Sequence, residues 1–241
     1  MKIVLLGTGS SALSLTRRPT SFLVIAQKGA LLLDIGPSIL RKLIEIERPP
    51  DMIDVVLLTH FHPDHTADLA SFLFDCNYGI SPRRKPLTII AGKGVGLFLR
   101  RLMRLYPCVK PQGYQLVVKP AAKRVQRIGG FTMATAPANH KAESIAVCLK
   151  ENGKNAVFWG DTDYSPALVE FASRTDLLFT ECTFPSRKRE GHLNLATLMK
   201  MVKEARPKQV ILTHLDPEWE EFPVPLPPPL LLGEDGMEIV L

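Results

Sequence analysis

The segment Thr59-His60-Phe61-His62-Pro63-Asp64-His65 packs three imidazoles and a carboxylate into one stretch directly after an apolar run. Neutral imidazoles with a carboxylate suit Zn²⁺, and also Mn²⁺ or Fe²⁺, far better than Ca²⁺ or Mg²⁺, which take oxygen ligands. Beyond a strand end the backbone turns, so the alternate residues His60 and His62 can converge on one ion while Asp64 and His65 face a second. Pro63 fixes its own φ and removes a backbone donor, which suits a rigid ligand loop better than a continuing strand. The string reads as a catalytic two-metal site; taken alone, it also fits a polar surface loop that happens to carry histidines.

The run before it, Asp54-Val55-Val56-Leu57-Leu58-Thr59, is β-branched and aliphatic and predicts a buried strand ending at His60. A strand followed by an acid or histidine and then a loop recurs at Asp34 (after 30–33), Asp161 (after 155–159), Glu181 (after 177–179) and His214 (after 209–212). In layered α/β proteins such strand ends gather functional groups into one crevice above a buried scaffold. Further strands are predicted over 3–6, 21–26, 144–149 and 237–241, and Asn152-Gly153 signals a hairpin between 144–149 and 155–159. Helical spacing predicts helices over 38–45, with Pro37 in the first turn, and over 66–74, 96–106 and 195–205. In 96–106, Leu97, Phe98, Leu102 and Leu105 are expected against the core, with Arg100, Arg101 and Arg104 on the opposite face. The stretch from Pro223 to Pro229 predicts a loop that cannot pair inside a sheet.

With 241 residues, 46% of them hydrophobic, the chain can bury a full core, and a single domain over 1–241 is expected. No apolar run approaches the roughly 20 residues of a membrane span. The opening Met1-Lys2-Ile3-Val4-Leu5-Leu6 breaks at Gly7-Thr8-Gly9, too early for a signal-peptide core, so no membrane partner is expected. Cys76, Cys108, Cys148 and Cys182 form no CxxC pair and read as reduced, mostly buried thiols of a cytoplasmic protein. The net charge of +6 is unevenly spread. From Cys76 to Ala142 there is no Asp or Glu, while Arg83, Arg84, Lys85, Lys93, Arg100, Arg101, Arg104, Lys110, Lys119, Lys123, Arg124, Arg127 and Lys141 are basic. This asymmetry suggests a surface for phosphates, with RNA as a partner through the region 83–127; otherwise it is a solvated face whose balancing acids lie elsewhere in the fold.

Around the histidine cluster stand, in order, Leu6-Gly7-Thr8-Gly9-Ser10, Asp34-Ile35-Gly36, His140, Gly160-Asp161-Thr162, Thr180-Glu181-Cys182-Thr183-Phe184, Gly191-His192 and Leu212-Thr213-His214. In this order the whole chain resembles the metallo-β-lactamase fold superfamily, and within it the ribonuclease Z-like phosphodiesterases. The resemblance implies an α/β (α+β) fold, a four-layer αββα sandwich of two mixed β-sheets flanked by helices, with the metal site at the sheet edge. It implies two Zn²⁺ ions: His60, His62 and His140 hold one, Asp64, His65 and His214 the other, and Asp161 bridges both. Two ions about 3.5–4 Å apart share a hydroxide, lower its pKa and stabilise the attacking and leaving oxygens of an in-line displacement at phosphorus. In similar enzymes the histidine matching His192 contacts the scissile phosphate and helps the leaving group depart. By the same resemblance Glu181 orients His192, Asp64 orients the attacking oxygen or takes its proton, and Asp34 holds the ligand loop in place.

The departures matter as well. Ribonuclease Z of the tRNA-processing type carries a long arm that grips tRNA, whereas the span from His140 to Asp161 has room only for a hairpin. Gly7-Thr8-Gly9 lacks the Lys-Ser/Thr ending of a P-loop, which excludes a nucleotide triphosphatase. Oxygen-reducing diiron relatives resemble an HxExD pattern, and His62 stands where their Glu would be. The expected function is a dinuclear metal-dependent hydrolase, a phosphodiesterase acting on a small or cyclic phosphodiester or an RNA end. The alternatives are a lactone, thioester or sulfate ester hydrolase on the same fold, and a non-catalytic metal-binding module. Similar ribonuclease Z-like proteins are often dimers, so the resemblance also implies a homodimer.

Overall fold

Alternation of apolar residues dictates sheets that are buried on both faces. In β1 (Lys2–Gly7), Ile3 and Leu5 face one hydrophobic cluster while Val4 and Leu6 face another, and all four are buried. The computed structural model describes residues 1–121, 125–128, 130–222 and 225–241. The first sheet continues with β2 (Ser21–Ala26), β3 (Gly29–Leu33), β4 (Val55–Leu58), β5 (Leu87–Ala91) and β6 (Leu116–Pro120). The second holds β7 (Gln126–Ile128), β8 (Phe131–Pro137), β9 (Ile145–Glu151), β10 (Lys154–Phe158), β11 (Leu177–Glu181), β12 (Val210–Thr213) and β13 (Leu230–Leu232). Finally β14 (Glu238–Val240) returns to the free edge of β1, so each sheet has seven strands among the described residues.

Both sheets are mixed. β3, β4, β5 and β6 are parallel neighbours, as are β10, β11, β12 and β13, while the other pairings are antiparallel. Parallel strands end on the same side, and this sends the residues after β3, β4, β10, β11 and β12 to one edge. Between the sheets lie Phe22, Phe158, Phe179, Leu33 and Leu57. The outer face of the first sheet is covered by α1 (Ile39–Glu45), α2 (Pro63–Thr66), α3 (Leu69–Tyr78) and α4 (Val95–Leu105), through Ile39, Leu43, Phe72, Leu73 and Leu99. The second is covered by α5 (Pro166–Phe171) and α6 (Leu195–Ala205), through Leu168, Leu198, Met201 and Val202. These three apolar layers between four layers of structure make the expected αββα sandwich. Each large apolar side chain so buried contributes about 1.5–3 kcal/mol.

The Asn152-Gly153 hairpin forms as the sequence predicts, with both residues at positive φ. Several local expectations are corrected. α1 starts at Ile39 behind a left-handed Ser38, so Pro37 precedes the helix instead of entering its first turn. α4 keeps half of its expected face: Phe98 and Leu102 pack against the core beside the buried Val95 and Leu99, whereas Leu97 and Leu105 are 46% and 69% exposed. Spacing by threes and fours admits neighbouring stripes, and packing on β6 selected the one formed by Val95, Phe98, Leu99 and Leu102. In the basic stretch Arg83 is 3% exposed, and its guanidinium donates to the carbonyls of Ile53, Lys85 and Pro86 at 2.7–2.9 Å. Lys85 pairs with Asp54 at 2.8 Å. These two cations tie the entry of β4 to that of β5 and do not belong to a free phosphate surface, whereas Arg100, Arg101 and Arg104 are exposed. Lys123, Arg124 and Pro223 lie outside the described residues.

Candidate metal centre

His60 follows β4 with no exposed surface, and Pro63 opens α2, whose first turn carries Asp64 and His65. His140 sits in the loop between β8 and β9, Asp161 three residues beyond β10, and His214 directly after β12 in a left-handed conformation. All seven ligands expected from the sequence meet at the same edge. On one side are His60, His62, His140 and Asp161, and on the other Asp64, His65 and His214; within each group the nearest ligand atoms lie no more than 4.8 Å apart.

Asp161 stands between them. Its Oδ2 lies 3.6 Å from His60 Nε2, 4.0 Å from His140 Nε2 and 3.4 Å from His214 Nε2, and its Oδ1 lies 3.4 Å from His65 Nε2. Asp64 Oδ2 is 3.5 Å from His65 Nε2 and 3.3 Å from His214 Nε2, and His140 Nε2 faces His62 Nδ1 at 3.2 Å. His60 Nε2, His65 Nε2 and both Asp161 oxygens are buried without a hydrogen-bond partner. Buried polar atoms are almost always satisfied, so four orphans aimed into one space fit a cation that accepts their lone pairs. Nitrogen donors mixed with carboxylates match Zn²⁺, Mn²⁺ or Fe²⁺.

The opposite nitrogens are already fixed. His65 Nδ1 is 2.8 Å from Asp34 Oδ2, His140 Nδ1 donates to the Gly191 carbonyl at 2.9 Å, and His60 Nδ1 is 3.1 Å from Thr59 Oγ1. Asp34 also accepts from Thr59 N at 2.7 Å and from Thr59 Oγ1 at 2.8 Å, so both its oxygens are taken by the ligand loop it holds. Such carboxylate and carbonyl partners set the ring orientation and leave the other nitrogen for the ion. Gly191 has no substitute here: its φ is +79°, and a Cβ would lie 2.8 Å from His140 Nδ1.

Charges in the cluster divide by environment. Burial, helped by the neighbouring His65, pushes the His60 imidazole down to about 2, and burial also lowers His62 and His140, so this trio stays neutral. For His65 burial acts downward too, but the carboxylates of Asp161 and Asp34 outweigh it and hold the imidazole well above its usual range. His214 is raised in the same way by Asp161 and Asp64. Burial works against the ionised forms of Asp64 and Asp161, yet His214 and His65 bring Asp64 down to about 2 and Asp161 well below the usual carboxylate range. The cluster is a concentration of negative charge that protons or metal ions must balance.

His192 and Glu181 join the same edge. His192 Nδ1 is 3.2 Å from Glu181 Oε1 and 4.0 Å from Asp161 Oδ2. Glu181 is 1% exposed and accepts from Thr162 N at 2.7 Å and Leu193 N at 3.0 Å. It is therefore bound up with protein donors, among them His192 at the centre.

A profile of the family described as anti-Pycsar protein Apyc1 matches residues 1–225. The chain belongs to that family. Among curated relatives, the probable metallo-hydrolase YhfI of Bacillus subtilis (strain 168) is 25% identical over 230 residues, covering 89% of this chain and 87% of YhfI. The crystal structure of human tRNase Z, short form, superposes with a TM-score of 0.81 at 21% identity, over 100% of this chain and 99% of that one. A diphosphatase of the PhnP family gives 0.78 at 17% identity, over 100% and 97%. These likenesses establish the metallo-β-lactamase fold expected from the sequence. Relatives of this fold include metallo-hydrolases and ribonucleases, and this chain carries a His/Asp cluster able to hold a divalent metal. No helix among the described residues is long and apolar enough to cross a membrane.

The sequence reading missed the residues that hold the ligands from behind. Thr59, Thr162, Thr183 and the Gly191 carbonyl were given no role. Their signal was position: a hydroxyl one residue before His60, and another two residues after Glu181, at strand ends where such groups reach back to neighbouring loops.

Proposed function

We propose that the protein is a dinuclear metal-dependent phosphodiesterase acting on a small or cyclic phosphodiester or on an RNA end. The observation that carries this reading is His192, anchored by Glu181 4.0 Å from the central carboxylate of Asp161. Two Zn²⁺ ions, or Mn²⁺ or Fe²⁺, held by His60, His62 and His140 and by Asp64, His65 and His214 with Asp161 between, would activate water and offset charge on phosphoryl oxygens. The carboxylate of Glu181 only accepts hydrogen bonds, so His192 donates through Nδ1 and keeps Nε2, which has no protein partner among the described residues, for the substrate. From there, with a second proton on Nε2, the imidazolium contacts the scissile phosphate and gives that Nε2 proton to the departing oxygen, keeping its Nδ1 proton directed at Glu181. Asp64 has one oxygen turned to His65 and His214, leaving the other to orient the attacking oxygen or take its proton.

The span from His140 to Asp161 is filled by the β9–β10 hairpin, which supports small substrates over folded tRNA. The exposed Arg100, Arg101 and Arg104 of α4, together with the exposed Arg84, Lys93, Lys110, Lys119 and Arg127, are the part of the basic region available for RNA. Charge reversal of the three α4 arginines should weaken RNA binding and flatten its salt dependence if RNA is the substrate. Four unpaired cysteines suit the reducing cytoplasm. Self-association, implied by the ribonuclease Z resemblance, is checked by sedimentation velocity.

The deciding experiment compares hydrolysis of bis(p-nitrophenyl) phosphate with a panel of lactones, using His192→Ala as control. It continues with product analysis on 2′,3′-cyclic and 3′,5′-cyclic nucleotides, short RNA and precursor tRNA. Phosphodiester turnover that falls by about 10²–10⁴-fold in His192→Ala is expected for loss of a general acid. Full activity in that variant, or turnover of lactones alone, would overturn the assignment.

A further inference from the structure

We infer that Thr183 is a positioning residue whose single hydroxyl fixes the orientation of both the metal ligand His214 and the substrate-facing His192, through Glu181. Its Oγ1 lies 2.5 Å from Glu181 Oε2, 2.9 Å from His214 Nδ1 and 3.3 Å from His192 Nδ1. These contacts have one consistent assignment of protons. An ionised carboxylate only accepts, so the one proton of Thr183 goes to Glu181. Toward His214 the hydroxyl must then accept, which places the His214 proton on Nδ1. Its Nε2 therefore faces Asp64 and Asp161 at 3.3 and 3.4 Å, where a bound second ion would take its lone pair in place of a proton. Glu181 Oε1 likewise holds the proton of His192 on Nδ1, with the Thr183 oxygen as a second, longer acceptor.

The two imidazoles are stacked, with ring centres 5.5 Å apart and planes 13° from parallel, so a rotation of one presses on the other. Thr183 is 3% exposed and Glu181 1%, which leaves no bulk water to replace the hydroxyl. Backbone donors hold the hub in place: Glu181 also receives Thr162 N, Leu193 N and Thr183 N. One hydroxyl thus joins the second-ion half of the centre to the group that meets the leaving oxygen. A hydroxyl is needed because it accepts from His214 while donating to Glu181; neither a methyl nor an ammonium does both.

The inference rests on the phosphodiesterase reading only for what His192 does, and its main test needs no substrate. Zn²⁺ and Co²⁺ titrations, with the visible absorption of bound Co²⁺ reporting each site, are run on the full chain and on Thr183→Val and Thr183→Ser. In Thr183→Val the second ion should bind about 10- to 100-fold more weakly, as is typical when a partner behind a ligand is lost. The first ion should be unchanged, and Thr183→Ser should restore the second. Equal weakening of both ions, unchanged binding of both, or a serine variant as impaired as the valine one would overturn the assignment. If Thr183→Val does not fold, long-range ¹H–¹⁵N spectra of the unsubstituted, metal-loaded protein decide. Protons on Nδ1 of both His192 and His214 support the network, and a His192 that carries no proton on Nδ1 refutes it. A protein that binds metal as described but cleaves no phosphodiester would overturn the proposed function and leave the role of Thr183 standing.

Discussion

Replacing Asp34 by Asn changes one oxygen to an NH₂ in a site that has only donors around it. The Asp34 carboxylate is 2% exposed and accepts from Thr59 N at 2.7 Å, Thr59 Oγ1 at 2.8 Å and His65 Nδ1 at 2.8 Å. The residue has φ 61°, which Asn tolerates, so the substitution leaves the backbone unstrained. In either amide orientation an NH₂ group faces a buried N–H, from His65 or from Thr59. Losing a hydrogen bond to a charged group costs about 1.5–3 kcal/mol, and an orphaned buried donor about 1–3 kcal/mol. The two overlap, so a net destabilisation of about 2–4 kcal/mol is expected in denaturant unfolding. His65 loses the partner that turns its Nε2 toward Asp161, so the ion on the Asp64–His65–His214 side should bind about 10- to 100-fold more weakly. Competition of the protein with a chromogenic chelator for Zn²⁺ measures this directly. An Asn variant within about 0.5 kcal/mol of the parent, with both ions bound at full affinity, would refute the view that Asp34 orients His65.

Gly36 lies against the ligand loop, and a Cβ there would sit 1.9 Å from the Asp64 carbonyl oxygen. Gly36→Ala should displace Asp64 and lower metal content by elemental analysis, with a loss of about 1–3 kcal/mol typical of overpacking. Arg83→Met should destabilise by about 2–4 kcal/mol, since several buried carbonyls lose a charged donor, while Arg100→Glu, on the exposed face of α4, should stay within about 0.5 kcal/mol. Thermal or denaturant unfolding of the two variants side by side separates structural from surface cations. Burial raises the thiols of Cys148 and Cys182 and lifts that of Cys76 to about 11, whereas Cys108 is exposed. Ellman's reagent at pH 8 should therefore label Cys108 alone in the folded protein and all four cysteines after denaturation, with mass mapping of the modified peptide as the check.

The histidine string 60–65, its three distant partners and the strand pattern that carries them were legible from residue types. Imidazole and carboxylate chemistry limits the metals, and a buried strand run ending in a ligand has few structural explanations. β1, β2, β3 and β4, the β9–β10 hairpin, β11, β12 and α6 were readable for the same reason: their apolar periodicity is strong and their ends are marked by Gly, Asn or acids. The strands β5 to β8 were not read. Basic residues, alanines and threonines dilute their alternation, and their pairing comes from neighbours far along the chain.

Only the tertiary structure decided how the centre is held. Which face of α4 is buried depends on its packing against β6, and Arg83 became a structural cation because loops from 51–53 and 85–86 present carbonyls to it. Thr183 meets His214, 31 residues away, only because β11 and β12 are parallel and in register, with Glu181 opposite Thr213. Residue type fixes what a side chain can donate or accept and is carried by the sequence position by position. The partner that completes each hydrogen bond is set by packing between distant segments, and no local pattern encodes it.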